Sequence, residues 1–199
     1  MIYFISDTHF GHANIIKSCD RPFASVEEMN ETMIELWNAR VRNEDEVYIL
    51  GDMFFRCKDP EPILKRLKGK KYLIIGNHDH TWLNKIPTEK YFEWVQNYAD
   101  VQIGGEWAVL SHYPMLSYRN DSKRYMIHGH LHNNCGADFW PLLAKRDRIF
   151  NAGVELNGYQ PVTLPELIDN NRVFKAFHSP FEENNITPLS ELFGISDDE

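Results

Sequence analysis

The chain opens with the stretch IYFISDTH, residues 2–9, in which four apolar residues lead directly into a polar cluster with a carboxylate and an imidazole. A run of four apolar residues that is rich in β-branched and aromatic types is too short for a helix and is typical of a buried strand. The pattern recurs at residues 47–50, 72–75, 107–110 and 125–127, and each run ends in a cluster that holds Asp, Asn or His. We therefore predict buried strands whose carboxyl ends each present polar side chains.

Helical patterns lie between these runs. Ser25 and Glu28 have the spacing of a capping box, and an apolar helix face follows them. The residues of that face are Val26, Met29, Met33, Leu36 and Trp37. A second helix is predicted to begin at Asp59-Pro60 and to carry Ile63, Leu64 and Leu67, and a short helix is predicted to begin at Pro165. A further strand and turn are predicted at residues 150–154, before the short helix. Strands that alternate with helices indicate an α/β domain, in which the carboxyl ends of parallel strands converge on one crevice, so we expect the polar clusters to meet.

The composition is that of an ordinary globular protein, since 43 % of the 199 residues are hydrophobic and 25 % are charged. Of the net charge of −8, −6 comes from residues 182–199, which hold six acidic residues and no Lys or Arg. The nearly neutral remainder argues against a protein that wraps nucleic acid, and we expect no extended nucleic-acid groove. We predict one globular domain over residues 1–178 and an acidic, mobile tail over residues 179–199.

The chain contains no run near the ~18 uncharged apolar residues that a membrane span requires. No basic segment precedes the first apolar run and no cleavage site follows it, so we expect a cytoplasmic protein without a membrane partner. The three scattered cysteines, Cys19, Cys57 and Cys135, argue against a disulfide framework and against a Cys-rich zinc site. The sequence leaves the oligomeric state open.

Seven side chains in the polar clusters are possible metal ligands that offer oxygen or imidazole nitrogen. They are Asp7, His9, Asp52, Asn77, His112, His130 and His132. Such a set without thiolate suits borderline to hard divalent ions such as Mn, Fe or Zn. Seven ligands are too many for one tetrahedral ion and fit two ions that share a carboxylate, an arrangement that clamps a phosphoryl group and activates water.

Spacing within two of the clusters favours the same interpretation. Asp7 and His9 are separated by one residue, as are His130 and His132, and in an extended segment both members of such a pair point the same way. Each fragment alone has a structural alternative: Gly51-Asp52 is a common turn, and a lone His112 is more often a core or surface residue. The order of all fragments, each after its own predicted strand, favours the metal site.

This ordered set resembles the calcineurin-like metallophosphoesterase superfamily over residues 1–155. The matching motifs are Asp-x-His at 7–9, Gly-Asp at 51–52, Gly-Asn-His-Asp at 76–79, the lone His112, and Gly-His-x-His at 129–132. The segments 6–16, 21–23 and 151–154 further resemble a small bacterial and phage phosphoesterase subgroup. The resemblance implies a four-layer α/β/β/α sandwich with two metal ions at one edge. The short gaps between the motifs leave no room for a cap domain.

The resemblance also implies a role for each motif residue. Asp7, His9 and His132 hold one ion, Asn77, His112 and His130 hold the other, and Asp52 bridges them. A metal-bridging hydroxide attacks phosphorus, His78 protonates the leaving oxygen, and Asp79 orients the ring of His78. Two divalent ions are the implied cofactors, with Mn expected in vitro and Fe, Zn, Ni or Mg as alternatives.

We therefore predict a hydrolase of small phosphoesters, with nucleotide-like phosphodiesters favoured because the expected site is open. A phosphomonoesterase acting on a small phosphorylated metabolite or nucleotide is the alternative. An inactive metal-binding scaffold is less favoured, because His78 and all seven ligands are retained. The segment 51–56 departs from the Gly-Asp-x-x-Asp-Arg form of phosphoprotein phosphatases, which argues against that activity. The candidates for substrate contact are His12, Arg21, Arg56 and Tyr113.

Overall fold

The computed structural model describes residues 1–178, which form two four-stranded sheets. The first sheet is parallel throughout and contains β1 (Ile2–Ile5), β2 (Glu46–Ile49), β3 (Lys70–Ile74) and β4 (Trp94–Gln96), in that order. The second contains β5 (Tyr98–Ile103), β6 (Glu106–Ser111), β7 (Tyr125–His128) and β8 (Ile149–Asn151). In it β5 and β6 pair antiparallel, and the remaining pairs are parallel.

Five helices accompany the sheets within residues 1–178. They are α1 (Ala13–Ser18), α2 (Val26–Arg40), α3 (Glu61–Leu64), α4 (Trp140–Ala144) and α5 (Leu164–Phe177). Three short 3₁₀ turns lie between β3 and β4, at Asp79–Thr81, Leu83–Lys85 and Thr88–Lys90.

Side chains alternate between the two faces of each sheet, and this alternation produces the layers. Tyr3 and Ile5 of β1 pack into a core with the apolar face of α2, whereas Phe4 points the other way, into a core shared by the two sheets. A third core lies on the outer face of the second sheet, where Val109 and Met126 contact residues of α4. Both sheets are thus covered on both faces, and the predicted α/β/β/α sandwich is confirmed.

Hydrogen bonds connect β1 and the residue after it to the residue after β2 and to residues that follow β8. Within the first sheet, the Leu50 N–H donates to the Ile5 carbonyl at 2.8 Å. From the second half of the chain, the carbonyls of Ala152 and Val162 accept from the N–H groups of Ser6 and Phe4, both at 2.8 Å. The residues after β1 therefore lie where the edges of the two sheets meet.

The predicted strands are all present, and so is the helix with Ser25 at its N-cap, whose hydroxyl accepts from the Glu28 N–H. Two predicted helices differ in length: α3 ends after four residues, and α5 extends over 14. Strands β4 and β5 went unpredicted. For β5 a signal exists, since Gly104-Gly105 between two alternating segments is typical of a hairpin.

Among residues 1–178, no helix is both long and apolar enough to cross a membrane. The predicted acidic tail at residues 179–199 lies outside the described residues.

Candidate metal centre

The polar clusters meet at one edge of the sandwich, just past the carboxyl ends of five strands. The structure brings the ligand atoms of Asp7, His9 and His132 within 4.8 Å of one another, and we call these residues the first ligand group. It also brings Asp52, His112 and His130 within 4.8 Å of one another, and we call His112, His130 and the neighbouring Asn77 the second ligand group.

Asp52 lies between the two groups. Its Oδ2 is 3.8 Å from His9 Nε2 in the first group and 3.5 Å from His112 Nε2 in the second. Burial raises the pKa of this carboxyl, but His112 and the His78 N–H outweigh burial and lower the pKa to about 2. A charged carboxylate that faces both groups has the geometry of a bridging ligand. The Oδ1 of Asn77 lies 3.0 Å from His112 Nε2.

The backbone at the ligand positions is left-handed. The φ angles of Asp7, His9, Asp52, His130 and His132 lie between 50° and 70°. Non-glycine residues rarely adopt this conformation, and where they do, function is a frequent reason. The expectation that Asp7-x-His9 and His130-x-His132 are extended pairs was therefore wrong. Their side chains are presented from left-handed backbone positions instead.

Close backbone approach explains two glycines beside the ligands. A Cβ at Gly76 would overlap Asp52 Oδ1, and a Cβ at Gly129 would overlap Ser6 Oγ and lie 2.6 Å from Asp7 Oδ2. Any larger residue would displace a candidate ligand.

A buried ion pair supports the first ligand group. Glu155 Oε1 accepts from Arg21 Nη2 at 2.7 Å and pairs with His132 Nδ1 at 2.9 Å. The same guanidinium donates to the carbonyls of Asp7 at 2.7 Å and Thr8 at 2.9 Å. By holding His132 Nδ1, Glu155 leaves Nε2 free to face Asp7, the usual support of a metal-bound imidazole.

Arg21 is therefore unavailable to a substrate. The side chain has 0 % exposure, so the expected substrate contact was wrong. The supporting role of Glu155 was missed, although the residue follows directly on the segment 151–154 that carried part of the resemblance. Nothing local to Glu155 marks it, because its partners lie 134 and 23 positions away in the chain.

The surroundings of His9 show that these residues suit a metal ion. Both of its ring nitrogens are buried and have no hydrogen-bond partner among the described residues. Burial and the neighbouring His132 lower the pKa of His9 to about 2, so the ring is neutral and offers a lone pair. A buried imidazole with two unpaired nitrogens is costly, and a metal ion would satisfy one of them. The donor set fits a divalent cation.

A model of the calcineurin-like phosphoesterase family matches residues 1–191. The chain belongs to this family. An uncharacterized protein of Methanocaldococcus jannaschii is 37 % identical to it, over 89 % of this chain and 96 % of that protein. The Gene 66 protein of Mycobacterium phage L5 is 28 % identical, over 75 % and 92 %. The crystal structure of a protein of unknown function from Aquifex aeolicus matches with a TM-score of 0.67 at 29 % identity, covering 85 % of this chain and 98 % of that chain.

In this metal-dependent phosphoesterase, His78 lies at the mouth of the centre. Its backbone N–H donates to Asp52 Oδ1 at 2.8 Å, and its Nε2 is 3.8 Å from Asp52 Oδ2. The side chain remains 35 % exposed, which leaves the ring accessible from solvent. Phe55, unnoticed in the sequence, packs its ring 4.2 Å from that of His78 and 4.4 Å from that of His12.

The expected contact of Asp79 with the His78 ring is not found among the described residues. The buried Asp79 carboxylate accepts instead from the backbone N–H groups of Asp52 and Gly76, both at 2.8 Å, and from Trp82 Nε1 at 2.9 Å. Asp79 thus holds the loops of two candidate ligands in place, and His78 is positioned by its own backbone and by Phe55.

The remaining substrate-contact candidates surround the opening. His12 is partly buried, and its ring lies 5.7 Å from that of His9. Arg56 is exposed and stacks over Phe55 at 5.2 Å. Tyr113 is half-exposed and packs its ring 4.6 Å from that of His130.

Proposed function

We propose that this phosphoesterase hydrolyses small phosphodiesters at a dinuclear centre formed by the two ligand groups. The observation that carries the proposal is the position of Asp52, whose single carboxylate faces His9 of the first group and His112 of the second. Two divalent ions would be held here, one by Asp7, His9 and His132 and the other by Asn77, His112 and His130, and Asp52 would contribute to both. Manganese is the ion we expect to support turnover in vitro.

The residues prepare this centre before substrate arrives. His9 is held neutral by burial, and His132 is oriented by Glu155. His112 Nδ1 lies 2.7 Å from the Leu50 carbonyl, which leaves Nε2 to face Asp52. When bound, two divalent ions neutralise phosphate oxygens and lower the pKa of water. The fixed side chains add orientation, which is a large part of such catalysis.

His78 supplies the proton for the leaving oxygen in this proposal. It is adjacent to the candidate bridging carboxylate, partly exposed, and fixed at its backbone by Asp52. General acid catalysis of this kind contributes about 10²- to 10⁴-fold. His12, Arg56 and Tyr113 are proposed to contact the substrate around the opening.

Charge supports diesters over monoesters. Arg21 is committed to Glu155, so Arg56 is the guanidinium among the substrate-contact candidates that solvent reaches. A diester carries one negative charge and needs less positive charge around it than a dianionic monoester. Comparing turnover of bis(p-nitrophenyl) phosphate with that of p-nitrophenyl phosphate, both with added Mn²⁺, tests this preference. Faster turnover of the monoester would favour the phosphomonoesterase.

The His78→Ala variant tests the mechanism. We expect it to retain its metal content and to lose about 10²- to 10⁴-fold in turnover of diesters with alkyl leaving groups. Loss with p-nitrophenyl esters should be much smaller, because p-nitrophenolate departs without a proton. Equal loss on both kinds of ester, or loss of metal, would contradict the role assigned to His78.

A further inference from the structure

An apolar pocket of about 410 Å³ borders the metal centre. Its apolar lining consists of Tyr113, Pro114, Leu116, Leu131, Phe139 and Leu143. These residues come from the loop after β6, the loop after β7, and α4, so that segments some 30 positions apart in the chain form one wall.

The pocket is continuous with the second ligand group. His130 belongs to both, and Tyr113 lies in the lining while its hydroxyl is 3.5 Å from Asn77 Oδ1. A group attached to a phosphate held at the centre would therefore lie next to Tyr113.

Three of the nine large apolar side chains that are exposed among the described residues line this pocket. Tyr113 is 50 % exposed, Leu116 is 43 % exposed and Phe139 is 38 % exposed. A cluster of exposed large apolar side chains beside a polar site is typical of a binding surface. The three surround a floor formed by Leu143, which is buried in the core beneath the second sheet.

We propose that this pocket binds a flat, uncharged ring, such as a nucleobase or an aryl group, carried by the phosphoester substrate. The inference rests on the proposed function, because it places the phosphoryl group at the metal centre. Two aromatic side chains in the lining suit stacking on a flat ring, and stacking tolerates many ring types. A cavity of about 150 Å³ suffices for benzene, so this pocket has room for a bicyclic base. The lining holds no carboxylate or ammonium group to match a charged substituent.

Direct binding of two phosphonates to the Mn²⁺-loaded protein tests the proposal. Phenylphosphonate and methylphosphonate present the same anion to the centre and differ in the ring. We expect phenylphosphonate to bind about tenfold more tightly by isothermal titration calorimetry, because it buries the additional apolar surface. Neither compound is hydrolysed, so the ratio of dissociation constants is measured even if diester turnover is absent and the proposed function fails.

Variants locate the effect. Leu116→Glu places a carboxylate at the opening, and Phe139→Ala removes a ring, so each should reduce the tenfold ratio to below about threefold. Using the ratio cancels repulsion between the new carboxylate and the phosphonate anion, which both ligands share. Leu142→Glu is the matched control: Leu142 is 55 % exposed on the same helix as Leu143 but does not line the pocket, and we expect the ratio to persist.

Several outcomes would overturn the inference. A ratio near one in the unaltered protein would show that the pocket binds no ring. A tenfold ratio that survives both Leu116→Glu and Phe139→Ala would place the ring elsewhere. Equal loss in Leu142→Glu would show that the preference does not depend on this pocket.

Discussion

The two ligand groups are built differently, although Asp52 lies between them. In the first group Asp7 and His9 are buried and the His132 side chain is 17 % exposed, and the buried pair of Arg21 and Glu155 holds the His132 ring and the loop of Asp7. The second group is more open: Asn77 is exposed, and His130 is partly exposed beside the apolar pocket. Preorganisation favours affinity, whereas openness favours access. We therefore expect the first group to bind its metal ion more tightly and the second to meet the substrate.

Removing the charge of Asp52 should have the largest effect, because it affects both groups. We expect Asp52→Asn to lower diester turnover by about 10³-fold, equivalent to several kcal/mol of lost electrostatic stabilisation. Metal content should fall below two ions per chain. The amide retains an acceptor for the His78 N–H, so the variant isolates charge from loop structure. Two ions per chain, by elemental analysis, together with normal turnover would contradict a bridging role.

Glu155→Gln should weaken metal binding at the first ligand group and not at the second. Loss of the carboxylate that orients His132 is expected to weaken Mn²⁺ binding at the first group by about 10- to 100-fold and leave the second group unchanged. Calorimetric titration of metal-free protein would measure both affinities.

The exposed Glu106 supplies a matched control, since Glu106→Gln removes the same charge away from the site. Because Arg21 also loses its ionic partner in Glu155→Gln, the Tm of this variant should be measured alongside the titration. Glu155→Asp keeps the carboxylate and should restore part of the Mn²⁺ affinity. Equal weakening at both groups would remove the distinction between them.

Metal removal should destabilise the fold by a smaller amount. Ions that bind only the folded state at about 100 times their dissociation constant add about 2.7 kcal/mol, which corresponds to roughly 5–10 °C in Tm. We expect chelation to lower Tm by this amount and Mn²⁺ to restore it. In Glu155→Gln the recovery at the same Mn²⁺ concentration should be reduced. A Tm that does not change when Mn²⁺ is added would argue against metal binding by either group.

Tyr113→Phe should have the smallest effect. At 3.5 Å, the contact from its hydroxyl to Asn77 is too long for a strong hydrogen bond, and the ring remains to pack on His130. We expect less than a twofold change in Mn²⁺ affinity at either group. A tenfold loss at the second group would mean that the hydroxyl supports Asn77, and that the second group is less open than its exposure indicates.

Local patterns were sufficient for most of the fold. Short apolar runs with turn residues at their ends predicted β1, β2, β3, β6 and β7, because strand formation there needs only a buried apolar segment. The half-buried β4 was missed because its three residues, Trp94–Gln96, form too short a run to indicate a strand. Helix α3 was overestimated, since apolar spacing continued to Leu67 while the helix ended at Leu64.

The candidate ligands were predictable where a polar residue directly follows an apolar strand. Asp52 and His112 could be named because a polar residue at the end of an apolar run is visible in the chain itself. The role of Asp79 could not be read in this way, because its partners are backbone groups that reach it only in the folded protein. The left-handed turns at Asp7 and His130 were likewise hidden, since they depend on the loops packed around them.

The sequence by itself determined the residue types at the metal centre and the order in which the strands supply them, because apolar periodicity and ligand chemistry are local properties. Tertiary structure decided which side chains support the candidate ligands and which line the pocket beside them. Arg21 and Glu155, 134 positions apart, became one buried ion pair, and Tyr113 and Phe139 came to line one pocket. Contacts of that kind depend on how distant segments pack, and no local pattern encodes them.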